Sequence, residues 1–120
     1  MKKTKLRIFR RIKTYQNSET QNNFSKQGFG SKKWAKRQDK ASHPILDKTG
    51  KLKKGIKAEI KENEIVFMTN TTYGIYHQQG TEKMPKRQIV GVTKKDIKAH
   101  ERIITEEIEK DLPSGFTMEI

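Results

Sequence analysis

Residues 52–68 read LKKGIKAEIKENEIVFM, and this stretch decides the fold class. Apolar or small side chains recur along one face of its first half, at Leu52, Ile56, Ala58 and Ile60. A polar break, ENE at 62–64, precedes the β-rich apolar run IVFM at 65–68. Alternation on one side of a short polar break and β-formers on the other are typical of paired strands. The stretch therefore predicts an antiparallel strand pair that starts near Lys51.

Two helices and a strand are predicted after this pair. Residues 70–80, NTTYGIYHQQG, begin with helix-capping residues and end with glycine, which predicts a short helix. Pro85 and the run IVGV at 89–92 predict another strand. The segment TKKD at 93–96 resembles a capping box and precedes apolar residues at helical spacing. It predicts a long final helix, which Pro113 and Gly115 would end.

The N-terminal side predicts a third helix followed by a loop. Leu6, Phe9 and Ile12 step by three through a basic segment, which indicates a short amphipathic helix over residues 2–16. Residues 17–31 are polar and contain glycine, so they predict a loop, with Phe24, Phe29 and Trp34 as aromatic anchors. The predicted order is α–β–β–α–β–α, an α+β fold: a small antiparallel sheet with an N-terminal helix, a short middle helix and a long C-terminal helix. We expect a basic N-terminal helix and flexible loop over 1–42 and an α+β core over 43–120.

Composition limits the function classes. The chain has 120 residues, of which 31% are hydrophobic, so one domain with a thin core is expected. The net charge is +13, and residues 1–57 carry 18 basic and 3 acidic side chains. Such a half attracts phosphate, acidic protein surfaces or anionic lipid, and the charge alone does not distinguish them. No stretch approaches the ~20 apolar residues of a membrane span, so a soluble protein without a membrane partner is expected.

No catalytic constellation is found along the sequence. His43, His77 and His100 stand far apart, and the chain has no cysteine, so we predict no metal, no cofactor and no catalytic residues. The acids at Glu106, Glu107 and Glu109 are interpreted as a solvated helix face. These observations predict a protein that is not an enzyme.

Lysine, arginine and aromatic residues mix in the N-terminal half, as they do in proteins that bind nucleic acid. The candidates for non-specific contact are Lys32, Lys33, Lys36 and Arg37. No RRM, KH or zinc-finger signature accompanies them. A basic nucleic-acid-binding module is therefore an alternative function. The aromatic residues are equally consistent with a core and the lysines with a solvated face.

The segment from about Phe24 to Asp111 resembles the phage virion morphogenesis family, the Mu-like tail completion proteins. The matching blocks, in order, are NF at 23–24, Trp34, ILDKTGKL at 45–52, YGIYHQQG at 73–80 and MPKRQIVG at 84–91. A threonine and an aspartate leading into the final helix complete the order. Three positions differ from the family pattern: Lys86 replaces its alanine, Gln88 its second proline, and Ile89-Val90 its Phe-Leu pair. The first twenty residues lie outside the resemblance.

The resemblance implies a structural protein of a tailed phage or prophage. Its expected partners are phage tail or neck proteins and further copies of itself in a homo-oligomeric ring. The expected location is the virion, and the host cytoplasm during assembly. Non-specific contact of the basic half with DNA in the ring lumen is a further hypothesis.

The resemblance also implies interface residues. The aromatic and polar groups of the short helix and the segment after it would meet a neighbouring subunit: Tyr73, Tyr76, His77, Gln78, Gly80, Met84, Pro85 and Arg87. Tyrosine and arginine are enriched at interface centres, and Arg87 would pair with an acid of the neighbour. A plain helix cap with tyrosines in the core remains the alternative interpretation.

Overall fold

The architecture comes from a computed structural model that describes residues 2–36, 50–70, 72–81 and 85–112. The predicted α+β class and its three helices are confirmed, and the strands form two antiparallel two-stranded sheets. The elements in chain order are α1 (Lys2–Lys26), β1 (Gly28–Phe29), β2 (Lys32–Lys33), α2 (Lys51–Gly55), β3 (Ile56–Lys61), β4 (Glu64–Thr69), α3 (Thr72–Gln79) and α4 (Lys94–Lys110).

The predicted strand pair forms, but it starts later than expected. β3 and β4 pair from Ile56 opposite Thr69 to Lys61 opposite Glu64. Residues 51–55 are not strand but the single helical turn α2. Gly50 precedes this turn with a φ of 74°, and its carbonyl accepts a hydrogen bond from Lys54 N at 3.0 Å, which closes the turn. The prediction of a strand from Lys51 was therefore wrong.

The first helix is longer than predicted, since α1 runs to Lys26 through most of the expected loop. Polar residues occupy its inner face: Gln16, Thr20 and Asn23 are buried. The Asn17 side chain meets the backbone of Ala58 in β3, with its Oδ1 2.7 Å from Ala58 N. The loop prediction for 17–31 was wrong over 17–26 because tertiary hydrogen bonds hold a polar sequence in a helix despite its modest propensity.

A small core joins five segments. Phe24 and Trp34 pack edge to face, with ring centroids 5.5 Å apart. Leu52, Ile56 and Ile89 complete the buried cluster, and Val90 packs against it. The aromatic anchors predicted at 24 and 34 are thus core residues, whereas Phe29 is half-buried. Because each member comes from a different segment, the cluster fixes α1, the residues after β2, α2, β3 and the segment before α4 together.

The final helix begins as predicted. Thr93 Oγ1 accepts a hydrogen bond from Asp96 N, and Asp96 Oδ2 accepts one from Thr93 N, which together form a capping box. The helix ends at Lys110, and Pro113 and Gly115 lie outside the described residues. The expectations for residues 37–49, including the domain boundary at 42, also fall outside the described part. That boundary stays a prediction.

A cluster of charges joins α1 to α4. Glu107 accepts hydrogen bonds from Lys110 Nζ at 2.8 Å, Arg7 Nε at 2.9 Å and Arg11 Nη1 at 2.8 Å. Its side chain is only 1% exposed. The prediction of a solvated acidic face was therefore wrong for this residue. A buried carboxylate persists because three cations surround it and satisfy its oxygens.

The buried carboxylate makes the stability of the fold sensitive to acid. Hydrogen bonds from Lys110 and Arg7, with a smaller contribution from Arg11, lower the pKa of Glu107 to about 2. A carboxyl group with a lowered pKa stabilises the fold above its unfolded pKa, and this stabilisation is lost as the pH falls through the folded value. We expect the free energy of unfolding to drop between about pH 5 and about pH 2. In Glu107→Gln this drop becomes shallower and stability at pH 7 decreases, as measured by urea unfolding at a series of pH values.

The control is Glu109→Gln, an exposed glutamate two residues along the same helix. It should keep the parent's stability and pH dependence. If Glu107→Gln and Glu109→Gln gave the same pH profile, the cluster would not be the origin of the acid sensitivity.

Candidate functional site

The short helix α3 ends at a glycine that the backbone requires. Gly80 has a φ of 76°, and its N donates to the Tyr76 carbonyl at 2.7 Å. A Cβ at this position would lie 3.0 Å from the backbone N of Lys86. Both facts favour glycine, because other residues strain at positive φ and would crowd the returning chain. Gly80 is thus explained by chain geometry.

Gln78 connects α3 to the segment before α4. Its Oε1 accepts hydrogen bonds from Ile89 N at 2.6 Å and Val90 N at 3.2 Å. Its Nε2 donates to the Val90 carbonyl at 3.0 Å. One amide side chain therefore satisfies three backbone groups that a neighbouring strand would otherwise pair.

Other side chains complete this arrangement. Trp34 Nε1 donates to the Gln88 carbonyl and Asn23 Nδ2 to the Ile89 carbonyl, both at 2.8 Å. Gln16 Nε2 reaches the Gly91 carbonyl at 3.3 Å. The strand predicted at 89–92 was wrong because the extended backbone is bonded by side chains and not by a strand. Asn23, Trp34 and Gln78, which lie in separate motifs of the sequence, thus meet on one segment.

His77 and Arg87 also make contacts within the chain. Arg87 N donates to the His77 carbonyl at 2.8 Å, and its guanidinium donates to the carbonyls of Ala35 at 3.2 Å and Lys36 at 3.4 Å. Burial, and then the charge of Arg87, lowers the pKa of His77. The guanidinium has five N–H donors. Pairing of Arg87 with a neighbour's acid stays a prediction.

Exposed apolar side chains lie on α3 and on the neighbouring strand β4. Ile75 is 48% exposed, Tyr76 53% and Met68 of β4 43%. Met68 and Ile75 line an apolar groove of about 180 Å³, whose floor includes Phe67, Ile89 and Val90. We call Met68, Ile75, Tyr76 and this groove the α3 surface. Large exposed apolar groups next to a groove are typical of protein contact sites.

The predicted interface residues differ in exposure and in the contacts they make within the chain. Tyr76 and Pro85 are exposed, His77 and Arg87 are half-buried, and Gln78 is a structural link. The side chain of Tyr73 and the whole of Met84 are outside what the structure describes. Sequence reasoning missed Met68 and Ile75. Met68 could have been found, because strand alternation puts it on the face opposite Phe67.

The candidates for nucleic-acid contact lie on β2 and just after it. Lys32, Lys33 and Lys36 are exposed, whereas Arg37 is outside the described residues. Within the described part, no group of three His, Asp or Glu side chains could hold a metal ion. Nor is any helix of that part long and apolar enough to cross a membrane.

The link made by Gln78 predicts a measurable loss of stability. Gln78→Ala removes three hydrogen bonds and leaves backbone groups beside the buried Ile89 unpaired. At about 1 kcal/mol each, the expected decrease in the free energy of unfolding is about 2–4 kcal/mol. Urea unfolding would measure it. Gln79→Ala, at the exposed neighbouring position, is the control and should change stability by less than about 0.5 kcal/mol. Equal effects of the two substitutions would contradict the role of Gln78.

Comparison with known proteins gives one match. The sequence model of the phage virion morphogenesis family matches residues 5–109. The match thus includes most of α1, which the motif comparison had left out. No curated protein and no solved structure shows a significant match.

Proposed function

Because the chain belongs to the phage virion morphogenesis family, we propose that it is a non-enzymatic structural subunit of the assembly that completes the tail or forms the neck of a tailed phage or prophage particle. Under this proposal it acts through protein–protein contacts, resides in the virion and passes through the host cytoplasm during assembly. Its partners are tail or neck proteins and other copies of itself.

The α3 surface is the observation that carries this proposal. Ile75 and Tyr76 are about half exposed, although complete burial of an exposed isoleucine side chain is favourable by about 1.5–3 kcal/mol. Gln78 bonds α3 to the segment before α4, and Gly80 lets the chain turn back closely after the helix. The exposed groups are therefore carried by a helix that is fixed to the rest of the fold. Rigid presentation of apolar and aromatic groups reduces the entropy lost on binding.

A ring is the form of assembly that we propose. In a cyclic ring each subunit contacts its neighbour through two different patches, so the α3 surface would meet a different face of the next copy. Because the groove beside Ile75 is apolar, the neighbour should supply an apolar side chain to fill it. Salt should therefore weaken this contact little.

We test the proposal in the phage that encodes the chain. The double substitution Ile75→Ser/Tyr76→Ser removes the apolar groups of the α3 surface without touching Gln78. We expect roughly tenfold less of the chain in purified virions, and unjoined or unfinished tails by electron microscopy. Light scattering on the purified chain over a range of concentrations would show the same substitution shifting any multimer toward monomer.

Ile97→Ser is the matched control, because Ile97 lies on α4 and is 49% exposed, almost the same as the 48% of Ile75. It should assemble like the parent. If Ile97→Ser blocked assembly and the double variant did not, the contact would lie on α4. If purified virions lacked the chain and particles formed normally without it, the proposed function would be wrong.

A further inference from the structure

Three segments of the described structure carry positive charge and no negative charge. The segments 21–36, 50–57 and 85–91 contain nine lysines and one arginine, and no aspartate or glutamate. We call these three segments the cationic end. The intervening residues 37–49, outside the described part, carry three basic and two acidic side chains and so add no surplus of acid.

The fold brings these segments together. Phe24, Trp34, Leu52, Ile56 and Ile89 form one buried cluster, and each segment contributes at least one of them. Direct hydrogen bonds add to this: Gln21 Nε2 donates to the Lys53 carbonyl at 3.1 Å, and Arg87 donates to the carbonyls of Ala35 and Lys36. Segments whose charges are up to 61 positions apart in sequence therefore lie next to one another in the fold.

Most of these charges face solvent. Lys53 and Arg87 are half-buried, and the other eight are exposed, namely Lys26, Lys32, Lys33, Lys36, Lys51, Lys54, Lys57 and Lys86. The described acids next to the segments are engaged elsewhere: Glu19 pairs with Lys95, Glu59 pairs with Lys13, and Asp96 accepts from Thr93 N and Tyr15. Eight exposed like charges raise the local potential and attract a polyanion.

The opposite end of α1 has part of its charge compensated. Arg7 and Arg11 are paired with Glu106, Glu107 and Asp111 of α4. Lys13 lies 3.3 Å from Glu59 of β3. The basic N-terminal half of the sequence thus has two different parts: the start of α1, where acids pair with three of the basic side chains, and the cationic end, whose segments contain no acid.

The chemistry of the cationic end fits nucleic acid better than protein. Of the large apolar side chains that are exposed in the described part, none lies in its three segments. Protein interfaces need such anchors and are depleted in lysine. Lysine carries a mobile point charge on a flexible stem, which suits sequence-independent contact with phosphate.

We propose that the basic side chains of the cationic end bind the phosphate backbone of double-stranded DNA without sequence preference. None of them lines the groove of the α3 surface. The binding belongs to the single chain and requires no ring. A nucleic acid passing the subunit would be held by several weak lysine contacts, which allow it to slide.

The test measures fluorescence anisotropy of a labelled duplex of about 30 base pairs against the purified chain, in salt from about 50 to 200 mM. The variant is Lys32→Gln/Lys33→Gln/Lys36→Gln. Three lost phosphate contacts should lower the slope of log K against log salt by about 2.7 and weaken binding roughly tenfold or more. Circular dichroism and urea unfolding verify the fold of each variant.

The matched control is Lys3→Gln/Arg10→Gln/Lys98→Gln, which removes the same charge from exposed positions outside the cationic end. It should keep most of the parent's slope and affinity. Equal losses in both variants, or a parent that shows no salt-dependent binding, would overturn the proposal. Poly-glutamate, tested as a competitor, separates DNA from an acidic protein surface. If it displaced the duplex at equal charge concentration, an acidic protein would be the partner.

Because the readout is DNA binding by the free chain, it is independent of virion assembly. Loss of DNA binding with normal incorporation into virions would leave the proposed function standing. Failure of incorporation into virions with normal DNA binding would leave the DNA-binding proposal standing and would contradict the proposed function.

Discussion

Hydrogen bonds from the amide side chains of α1 to backbone groups of other segments are the interactions on which this fold depends. Asn17 bonds β3 at Ala58, and Asn23 bonds the Ile89 carbonyl of the segment before α4. That segment has no strand beside it in the described structure, so its buried polar groups would otherwise be unpaired, at a cost of about 1–3 kcal/mol each. A chain that is only 31% hydrophobic can fold in this way because hydrogen bonds from polar side chains supply part of the stability that a larger core would give.

The same helix organises the charges. Near its start, Arg7 and Arg11 surround the buried Glu107, and these contacts hold α4 against α1. Near its end, the helix packs on segments that contain no acid at all. The acidic residues are therefore concentrated where they stabilise the fold, and this leaves the lysines of the other end without compensation. Charge segregation of this kind separates a region that stabilises the subunit from a region that can attract a partner.

The two proposed surfaces rely on different physics. The α3 surface presents Ile75 at an apolar groove and Tyr76 on the same helix, so contact there is governed by burial of apolar area and depends little on salt. The cationic end presents lysines without exposed apolar anchors, so contact there is governed by counterion release and depends steeply on salt. Gln78 of α3 bonds to Ile89 N, and Arg87 bonds to the Ala35 carbonyl, so α3 is connected to the segments that bear the charges. A single small subunit can thus meet a protein neighbour and a polyanion at once.

The sequence alone determined the elements whose signals are local. Alternation around ENE at 62–64 was sufficient for the β3–β4 pair, and the Thr93–Asp96 capping box for the start of α4. The ordered motifs between residues 23 and 91 indicated the family, and the family model matches residues 5–109. Only the tertiary structure decided the rest. Asn17 and Asn23 look like loop residues until their distant backbone partners are known, and Glu107 looks solvated until Arg7 and Arg11 approach it across the helix interface. These outcomes depend on contacts between residues far apart in the chain, and local propensity carries no information about them.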